Sequence, residues 1–171
     1  MLRLSKKTDY ALMAMKHLAL QSAAAGALSA SAGAASAREI AEHYDIPIEL
    51  LAKILQRLAR RGLLTSHQGT RGGYSLARPA TVISVADVIQ AVDGPLTVTA
   101  CSVHDQGCGQ YSKCNVRDPL WRIKDRILTS LAACTLDEIA TDAPFSAVGS
   151  GASVGSGPEL QPVTLSRRPR E

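Results

Sequence analysis

The chain has 171 residues, of which 46% are hydrophobic and only 4% aromatic, and its formal net charge is +4. This length supports one aliphatic core, and with so small a charge the location of the basic residues is more informative than their number. The first 21 residues contain three lysines and an aspartate, and no run of 18 uncharged apolar residues occurs. We therefore expect no signal peptide, no membrane contact and a cytoplasmic location.

The histidines and cysteines limit the kinds of catalytic and metal-binding chemistry that the sequence supports. The four histidines show no partnered nucleophile and no paired carboxylates in the sequence, so we do not expect an enzyme. Four cysteines are present, and in a reducing compartment thiols act as metal ligands or reactive groups before they form disulfides.

The N-terminal part combines a helical pattern with a low-complexity segment. Apolar residues recur at three- and four-residue steps between residues 5 and 21, which predicts a first helix. Residues 22–37 (SAAAGALSASAGAASA) contain mainly alanine, serine and glycine. Gly26 and Gly33 favour a flexible insert here, and the alternative is an alanine-driven extension of the first helix.

Two further helices follow in close succession. Ser36 with Glu39 fits a capping box and predicts a helix over residues 38–44. After a turn, Pro47 suits the start of a helix over residues 47–61, and Gly62 suits its end. The predicted buried stripe of this helix consists of Ile48, Leu51, Leu55 and Leu58.

A β-hairpin is expected next. Residues 63–66 and 74–76 suit short strands, and the glycine-rich HQGTRGG segment joins them. Helix, turn, helix and hairpin is the order of a winged helix-turn-helix. We therefore predict a mainly α fold whose residues 1–83 form a DNA-binding region.

The basic residues cluster in this region. Between residues 50 and 86 there are six basic side chains and no acidic one. Several lie at offsets that share one helix face, opposite the apolar stripe, as in a recognition helix. The alternative is a solvated basic face, but the surrounding helices and hairpin favour DNA binding. The candidate DNA-binding residues are Glu49, Lys53, Gln56, Arg57, Arg60, His67, Gln68, Thr70 and Arg71.

The C-terminal half is predicted to carry helices around an irregular segment. Ser84 caps a short helix that Asp93-Gly94-Pro95 ends, and a longer amphipathic helix is expected over residues 118–134. A last helical turn over residues 135–140 completes a region spanning residues 84–140, and residues 141–171 are expected to be a disordered tail. One face of the longer helix carries Leu120, Ile123, Ile127 and Leu131.

Three cysteines lie in the irregular segment. Cys101, Cys108 and Cys114 are separated by polar, glycine-containing stretches, which suit a loop wrapped around an iron–sulfur cluster. A zinc site completed by His104 is the rival, although tight Cys-x-x-Cys pairs are absent. A disulfide with one spare thiol is the third reading, and Cys134 is predicted to be a small buried side chain.

The chain resembles the Rrf2 family of winged-helix regulators, including its IscR and NsrR types. The resemblance runs through MLRLSKKTDYALMAMKHLA, the segment ending in RGGYSLARP, ISVADVIQAVDGPL and the three-cysteine segment, over about residues 1–140. It implies a homodimer joined through the long helix, a pseudo-palindromic double-stranded DNA site, and a [2Fe–2S] or [4Fe–4S] cluster bound by the three cysteines. The segment CSVHDQGCGQYSKCNVRDPLWRI resembles regulators of the SUF iron–sulfur assembly operon most closely.

The chain departs from the family pattern at two places. Arg117 stands where the IscR type has a histidine after its last cysteine, so that fourth ligand is missing. Asp9 matches the aspartate that in NsrR-type members ligates the cluster of the other subunit, which makes it the candidate fourth ligand. His104 is the alternative ligand, and a helix-terminus carboxylate is the alternative role for Asp9. The insert at residues 22–37 is also longer than the family's usual connection.

We therefore expect a cluster-dependent transcription regulator that controls SUF assembly genes in response to cluster, iron or redox status. We expect it to act as a repressor. A zinc-stabilised or nitric-oxide-sensing repressor of the same fold is the alternative. A cluster carrier protein is a third class, but such a protein would have no need of a basic helix and a wing.

Overall fold

The architecture is a helical core with one small antiparallel sheet. The structure is a computed structural model that describes residues 4–25, 33–69, 72–97 and 109–141. Within these ranges the elements, in chain order, are α1 (Lys6–Ala25), α2 (Ala37–His43), α3 (Ile48–Arg60), β1 (Leu64–His67), β2 (Gly73–Leu76), α4 (Val85–Val92), α5 (Arg117–Ala133) and α6 (Leu136–Ala140). The order of α2, α3, β1 and β2 agrees with the predicted winged helix-turn-helix.

Helix α1 is longer than predicted. It continues through the serine and three alanines of residues 22–25, so the insert predicted over residues 22–37 begins as helix. Alanine has the highest helix propensity, and residues 22–25 precede the first glycine of the segment. At the C-terminal end of the insert, Ala35 forms an isolated β-bridge with Tyr74. The middle of the insert lies outside the described residues.

Helices α2 and α3 form the helix-turn-helix. Ser36 is the N-cap of α2, and its side chain accepts a hydrogen bond from the Glu39 backbone N–H at 3.1 Å. Helix α3 begins after Pro47 and is followed by Gly62 with φ of +71°, the left-handed conformation predicted for a residue after a helix end.

The buried stripe of α3 differs from the prediction at one position. Leu51, Leu55 and Leu58 are buried as expected, together with Ile54, whereas Ile48 is 44% exposed. Ile48 is the first residue of the helix, so its side chain lies ahead of the turns that face the core. The stripe is displaced by part of a turn, and the polar face opposite it keeps its predicted members.

The hairpin forms the wing. β1 pairs antiparallel with β2 in the register Leu64 with Leu76 and His67 with Gly73. On its other side, β2 exchanges two backbone hydrogen bonds with Ala35, through the N–H and C=O of Tyr74. The wing is therefore held by backbone pairing to the end of the insert as well as by its own ladder.

Helices α4 and α6 belong to the same core as the helix-turn-helix. Ser84 and Asp87 form a complete capping box at the start of α4. Val88 and Val92 of α4 and Leu136 of α6 are buried in one cluster with side chains of α1 and α3. The core thus extends well past residue 83.

Helix α5 lies outside this core. None of its residues is buried, and Ile123 is 48% exposed. Leu128 and Leu131 line a cavity against α4 and the turn after it, so one edge of α5 is covered. Among the described residues, no helix is both long enough and apolar enough to cross a membrane.

Candidate DNA interface and cluster site

The exposed face of α3 is strongly basic. Lys53, Gln56, Arg57 and Arg60 are all exposed, on the side of the helix away from its buried leucines. Glu49 is also exposed, in the first turn. This arrangement turns a basic helix face to solvent while the apolar face holds the helix to the core, which is what major-groove entry requires.

The structure adds Arg61 to the predicted set. A cleft beside α3 is lined by Lys53, Arg57, Arg60 and Arg61. Arg61 follows the last residue of α3 as its C-cap. It lies next to Arg60 in the sequence and, like it, belongs to the basic cluster, which is the signal that could have identified it. Four cationic side chains along one cleft suit the phosphates of a DNA backbone.

Arg57 differs from the other basic residues of α3. Its Nε donates a hydrogen bond to the Ala91 carbonyl oxygen at 2.9 Å. Ala91 is in the last turn of α4, where carbonyl groups have no donor from their own helix. Arg57 thus lines the basic cleft and also binds the end of a neighbouring helix through its guanidinium.

The wing residues are described only in part. Gln68 is exposed and His67 is half-buried, with its Nε2 2.8 Å from Ser75 Oγ on the opposite strand. This contact occupies one ring nitrogen of His67 in wing packing. Thr70 and Arg71 lie outside the described residues.

A second polar cleft lies between the end of α3 and α4. It is lined in part by Arg61, Arg78, Asp87 and Gln90. Arg61 therefore borders both clefts, and the basic surface extends from α3 towards α4. Arg78 belongs to the basic cluster found in the sequence, but it was not among the predicted site residues.

Of the three predicted cysteine ligands, only Cys114 is described. Its thiol is free and half-buried, and it follows a 3-10 turn at Tyr111–Lys113, just before α5. Cys101, Cys108 and His104 lie outside the described residues. Within the described part of the chain, no group of three His, Cys, Asp or Glu side chains could hold a metal ion.

A buried polar group without a partner lies on α5, seven residues after Cys114. Trp121, in the second turn of α5, has a buried indole N–H without a hydrogen-bond partner among the described residues. The Arg117 guanidinium carbon lies 5.7 Å from the centre of this indole ring, and Arg117 Nε binds Asp118 at 2.7 Å. A donor set of three thiols suits an iron–sulfur cluster, and an unpaired buried N–H is the kind of group that a sulfur or carboxylate acceptor would satisfy.

Asp9, the predicted fourth ligand, lies near the start of α1. It is exposed in the first turn of α1, and its side chain makes no hydrogen bond within the described residues. The start of α1 is capped instead by Ser5, whose Oγ accepts from the Thr8 backbone N–H at 3.3 Å. The Asp93 carboxylate in turn accepts hydrogen bonds from Ser5 N, Ser5 Oγ and Thr8 Oγ1. Asp9 is therefore not needed as the cap of its own helix.

Cys134 is a different kind of cysteine. It is half-buried rather than buried as predicted, and it is the C-cap of α5. Burial, followed by the nearby Glu138 carboxylate, raises the pKa of its thiol. Its Sγ lies 4.0 Å from the Thr135 carbonyl oxygen, and Cys134 stays outside the predicted ligand set.

A helix-turn-helix with a basic second helix and a paired wing defines a winged-helix DNA-binding regulator. The sequence model of the Rrf2 family, described as iron-dependent transcriptional regulators, matches residues 4–142. The chain belongs to this family.

Relatives and solved structures support the same assignment. The chain is 38% identical over 143 residues to an HTH-type transcriptional regulator of Mycobacterium tuberculosis, covering 81% of each chain. It is 34% identical to the HTH-type transcriptional regulator IscR of Escherichia coli, covering 82% of each. These relatives are transcriptional regulators and not enzymes.

Two solved structures share the fold. CymR, the global cysteine regulator of B. subtilis, superposes with a TM-score of 0.66 at 26% identity, covering 84% of this chain and all of CymR. IscR of T. potens gives a TM-score of 0.61 at 26% identity, covering 88% of this chain and 94% of that protein. The predicted mainly α, winged-helix fold is confirmed.

Proposed function

We propose that this protein is an iron–sulfur cluster-dependent transcription regulator that binds double-stranded DNA as a homodimer. The observation that carries the proposal is the exposed basic face of α3, presented by a winged helix-turn-helix. The IscR relatives support DNA binding in the service of transcription. The three-cysteine segment distinguishes a cluster-dependent member from one that only binds DNA.

The DNA contacts follow from the placement of the basic residues. Lys53, Gln56 and Glu49 are the candidates for base readout in the major groove, because they lie along the exposed face of α3. Arg57 and Arg60 line the adjoining cleft and suit backbone phosphates. The wing residues His67, Gln68, Thr70 and Arg71 are assigned to the flanking groove.

The homodimer is proposed through α5. An amphipathic helix of 17 residues without a buried side chain gains most of its stability from a partner surface. A second copy crossing at Ile123 and Ile127 would cover that face. Two-fold symmetry then presents two α3 helices to a pseudo-palindromic site, with half-sites about one DNA turn apart.

Cys101, Cys108 and Cys114 are proposed to hold a [2Fe–2S] or [4Fe–4S] cluster, with Asp9 of the partner subunit as the fourth ligand. When bound, such a cluster supplies sensitivity to iron supply, oxygen or nitric oxide. Cys114 lies just before the start of α5, and Asp9 lies in the first turn of α1. Ligation would therefore tie the dimer helix of one chain to the first helix of the other.

The genes controlled are proposed to be those of SUF iron–sulfur assembly. The support is the resemblance of the segment from Cys101 to Ile123 to regulators of that operon. Under this proposal, loss of the cluster reports a shortage of assembly capacity, and the apo and holo proteins differ in operator affinity.

The test is anaerobic purification of the wild-type protein and of matched cysteine variants. The wild-type protein should be brown and contain iron and acid-labile sulfide. Cys114→Ala should lose the absorption of the cluster, and Cys134→Ala, the control outside the ligand set, should keep it. Asp9→Ala should keep iron but change the spectrum, because one ligand of four is replaced.

Two results would contradict this proposal. A colourless wild-type protein containing zinc would support the zinc-stabilised repressor instead. Equal operator affinity for holo protein and for chelator-treated apo protein would leave a cluster without a regulatory role. An unchanged cluster spectrum for Asp9→Ala would contradict only the proposal that Asp9 of the partner subunit is the fourth ligand.

A further inference from the structure

The C-terminal end of α4 is a junction between the recognition helix and the N-terminus of the chain. On one side, Arg57 Nε of α3 donates to the Ala91 carbonyl oxygen at 2.9 Å. On the other side, the Asp93 carboxylate accepts from Ser5 N at 3.2 Å, Ser5 Oγ at 2.6 Å and Thr8 Oγ1 at 2.7 Å. Two residues of one turn, Ala91 and Asp93, thus connect α3 to the start of α1.

Arg57 is suited to transmit movement across this junction. A guanidinium is planar, so a hydrogen bond at Nε sets the direction in which its two terminal nitrogens point. Those nitrogens belong to the side chain that lines the basic cleft with Lys53, Arg60 and Arg61. A shift of the Ala91 carbonyl therefore changes the position of a cationic group on the DNA-facing side.

One side of the junction lies next to a proposed cluster ligand. Thr8, which binds Asp93, directly precedes Asp9 in the first turn of α1. Ligation of Asp9 would restrain the same turn that Arg57 holds, through Thr8 and Asp93.

We propose that Arg57 is a positioning residue that couples cluster ligation to the DNA-binding surface through its hydrogen bond to the Ala91 carbonyl. This inference rests on the cluster-dependent DNA binding proposed above and adds the route by which the two sites communicate. The coupling is reciprocal, so DNA held by Arg57 also restrains the end of α4 and the segment that follows it.

The experiment compares Arg57→Lys with Arg60→Lys. Both variants keep a positive charge in the same cleft, but only the first loses the planar Nε donor to α4. Operator affinity is measured by fluorescence anisotropy for anaerobic holo protein and chelator-treated apo protein, with a labelled duplex selected from a random pool by the wild-type holo protein. The readout is the ratio of apo to holo Kd.

Coupling between two sites is commonly about 5- to 150-fold, and we expect a ratio in that range for the wild-type protein. Arg60→Lys should retain it, because its charge is kept and the junction is intact. Arg57→Lys should reduce it to about twofold or less, with an unchanged cluster spectrum. Arg57→Gln, which keeps an N–H donor without the charge, should also lose the coupling and bind more weakly in both states.

A second readout uses the apo protein alone. Addition of the duplex should slow hydrogen exchange in a peptide covering residues 88–94 of the wild-type protein and of Arg60→Lys. It should leave this peptide unchanged in Arg57→Lys, because the DNA-bound side chain no longer holds α4.

The possible failures are distinguishable. A ratio near one in the wild-type protein would overturn both the proposed cluster dependence and the coupling. A wild-type ratio that persists in Arg57→Lys, or equal protection of residues 88–94 in this variant, would overturn the role of Arg57 and leave the proposed function standing.

Discussion

The Asp93 carboxylate connects the end of α4 with the start of α1. It is the C-cap of α4, and it accepts three hydrogen bonds at the start of α1. Burial would raise the pKa of Asp93, but the hydrogen bonds from Ser5 and Thr8, with the nearby Lys7, outweigh it and lower the pKa below its ordinary value of 3.8. The folded protein therefore binds the proton less tightly than the unfolded chain does.

This shift predicts an acid-sensitive contribution to stability. The contribution is present at neutral pH and is lost as the pH falls below about 4 through the lowered pKa of the folded state. Asp93→Asn should lower the free energy of unfolding by about 1 kcal/mol at pH 7, since Asp93 is exposed and acts as a helix cap. Urea unfolding of the apo protein at pH 7 and pH 3 measures the difference, which should shrink at pH 3.

Asp125→Asn is the matched control for this substitution. Asp125 is exposed on α5, and its carboxylate makes no hydrogen bond to any described residue. It should leave the unfolding free energy nearly unchanged at both pH values. Equal effects of the two substitutions at pH 7 would show that the hydrogen bonds to Ser5 and Thr8 contribute nothing.

The wing illustrates how an element depends on a backbone contact far away in the sequence. Gly73 begins β2, and a Cβ at this position would lie 2.5 Å from the Ala35 carbonyl oxygen and 2.7 Å from its carbon. Those atoms belong to the backbone that pairs with Tyr74, so they cannot move aside without breaking the pairing. Only glycine permits this approach.

Gly73→Ala is therefore expected to destabilise the protein by about 1–3 kcal/mol, as overpacking does. It should also weaken operator binding, since the wing loses its support at Ala35. Urea unfolding and fluorescence anisotropy measure the two effects. Gly109→Ala is the control, because a Cβ there meets no atom of a described residue within 4 Å and its φ lies outside the left-handed region. If both substitutions had the same small effect, the close approach would be unimportant.

Several elements could be read from local signals alone. Ser84 with Asp87 and Thr135 with Glu138 form the capping boxes that start α4 and α6, and Gly62 ends the recognition helix region as predicted. Helix α1 is longer than the pattern predicts. Two opposing local preferences, that of alanine for helix and that of glycine against it, meet within a few residues of its end. The exposed position of Ile48 depends on where α3 meets the core, which periodicity alone leaves undetermined.

At the scale of the whole molecule, α5 is a long helix that has no buried residue in the described part of the chain. We expect Ile123→Glu to convert the proposed dimer to a monomer, because a carboxylate would be buried in an apolar contact between the two copies. Sedimentation velocity of the apo protein measures the change, and operator affinity should fall with it.

Asp125→Lys controls for a change of charge on the same helix. It lies about half a turn from Ile123, away from the apolar face, and should leave the dimer intact. A monomeric wild-type protein, or an unchanged sedimentation coefficient for Ile123→Glu, would contradict dimerisation through this face.

The sequence by itself determined the order of the elements, the basic face of α3 and the membership of the Rrf2 family. These features depend on local periodicity, on capping and turn residues, and on motifs, all of which act over a few neighbouring positions. The three cysteines were also visible as a group, because their ligand chemistry is carried by residue type and spacing.

Only the tertiary structure decided which side chains connect these elements. The hydrogen bond of Arg57 to Ala91 joins residues 34 positions apart, and that of Ser5 to Asp93 joins residues 88 apart. Contacts of this kind arise from the packing of α1, α3 and α4 around one core, so no local pattern predicts them. For that reason the sequence marked Arg57 as one basic residue among several, and the fold distinguished it as the one that also binds the end of α4.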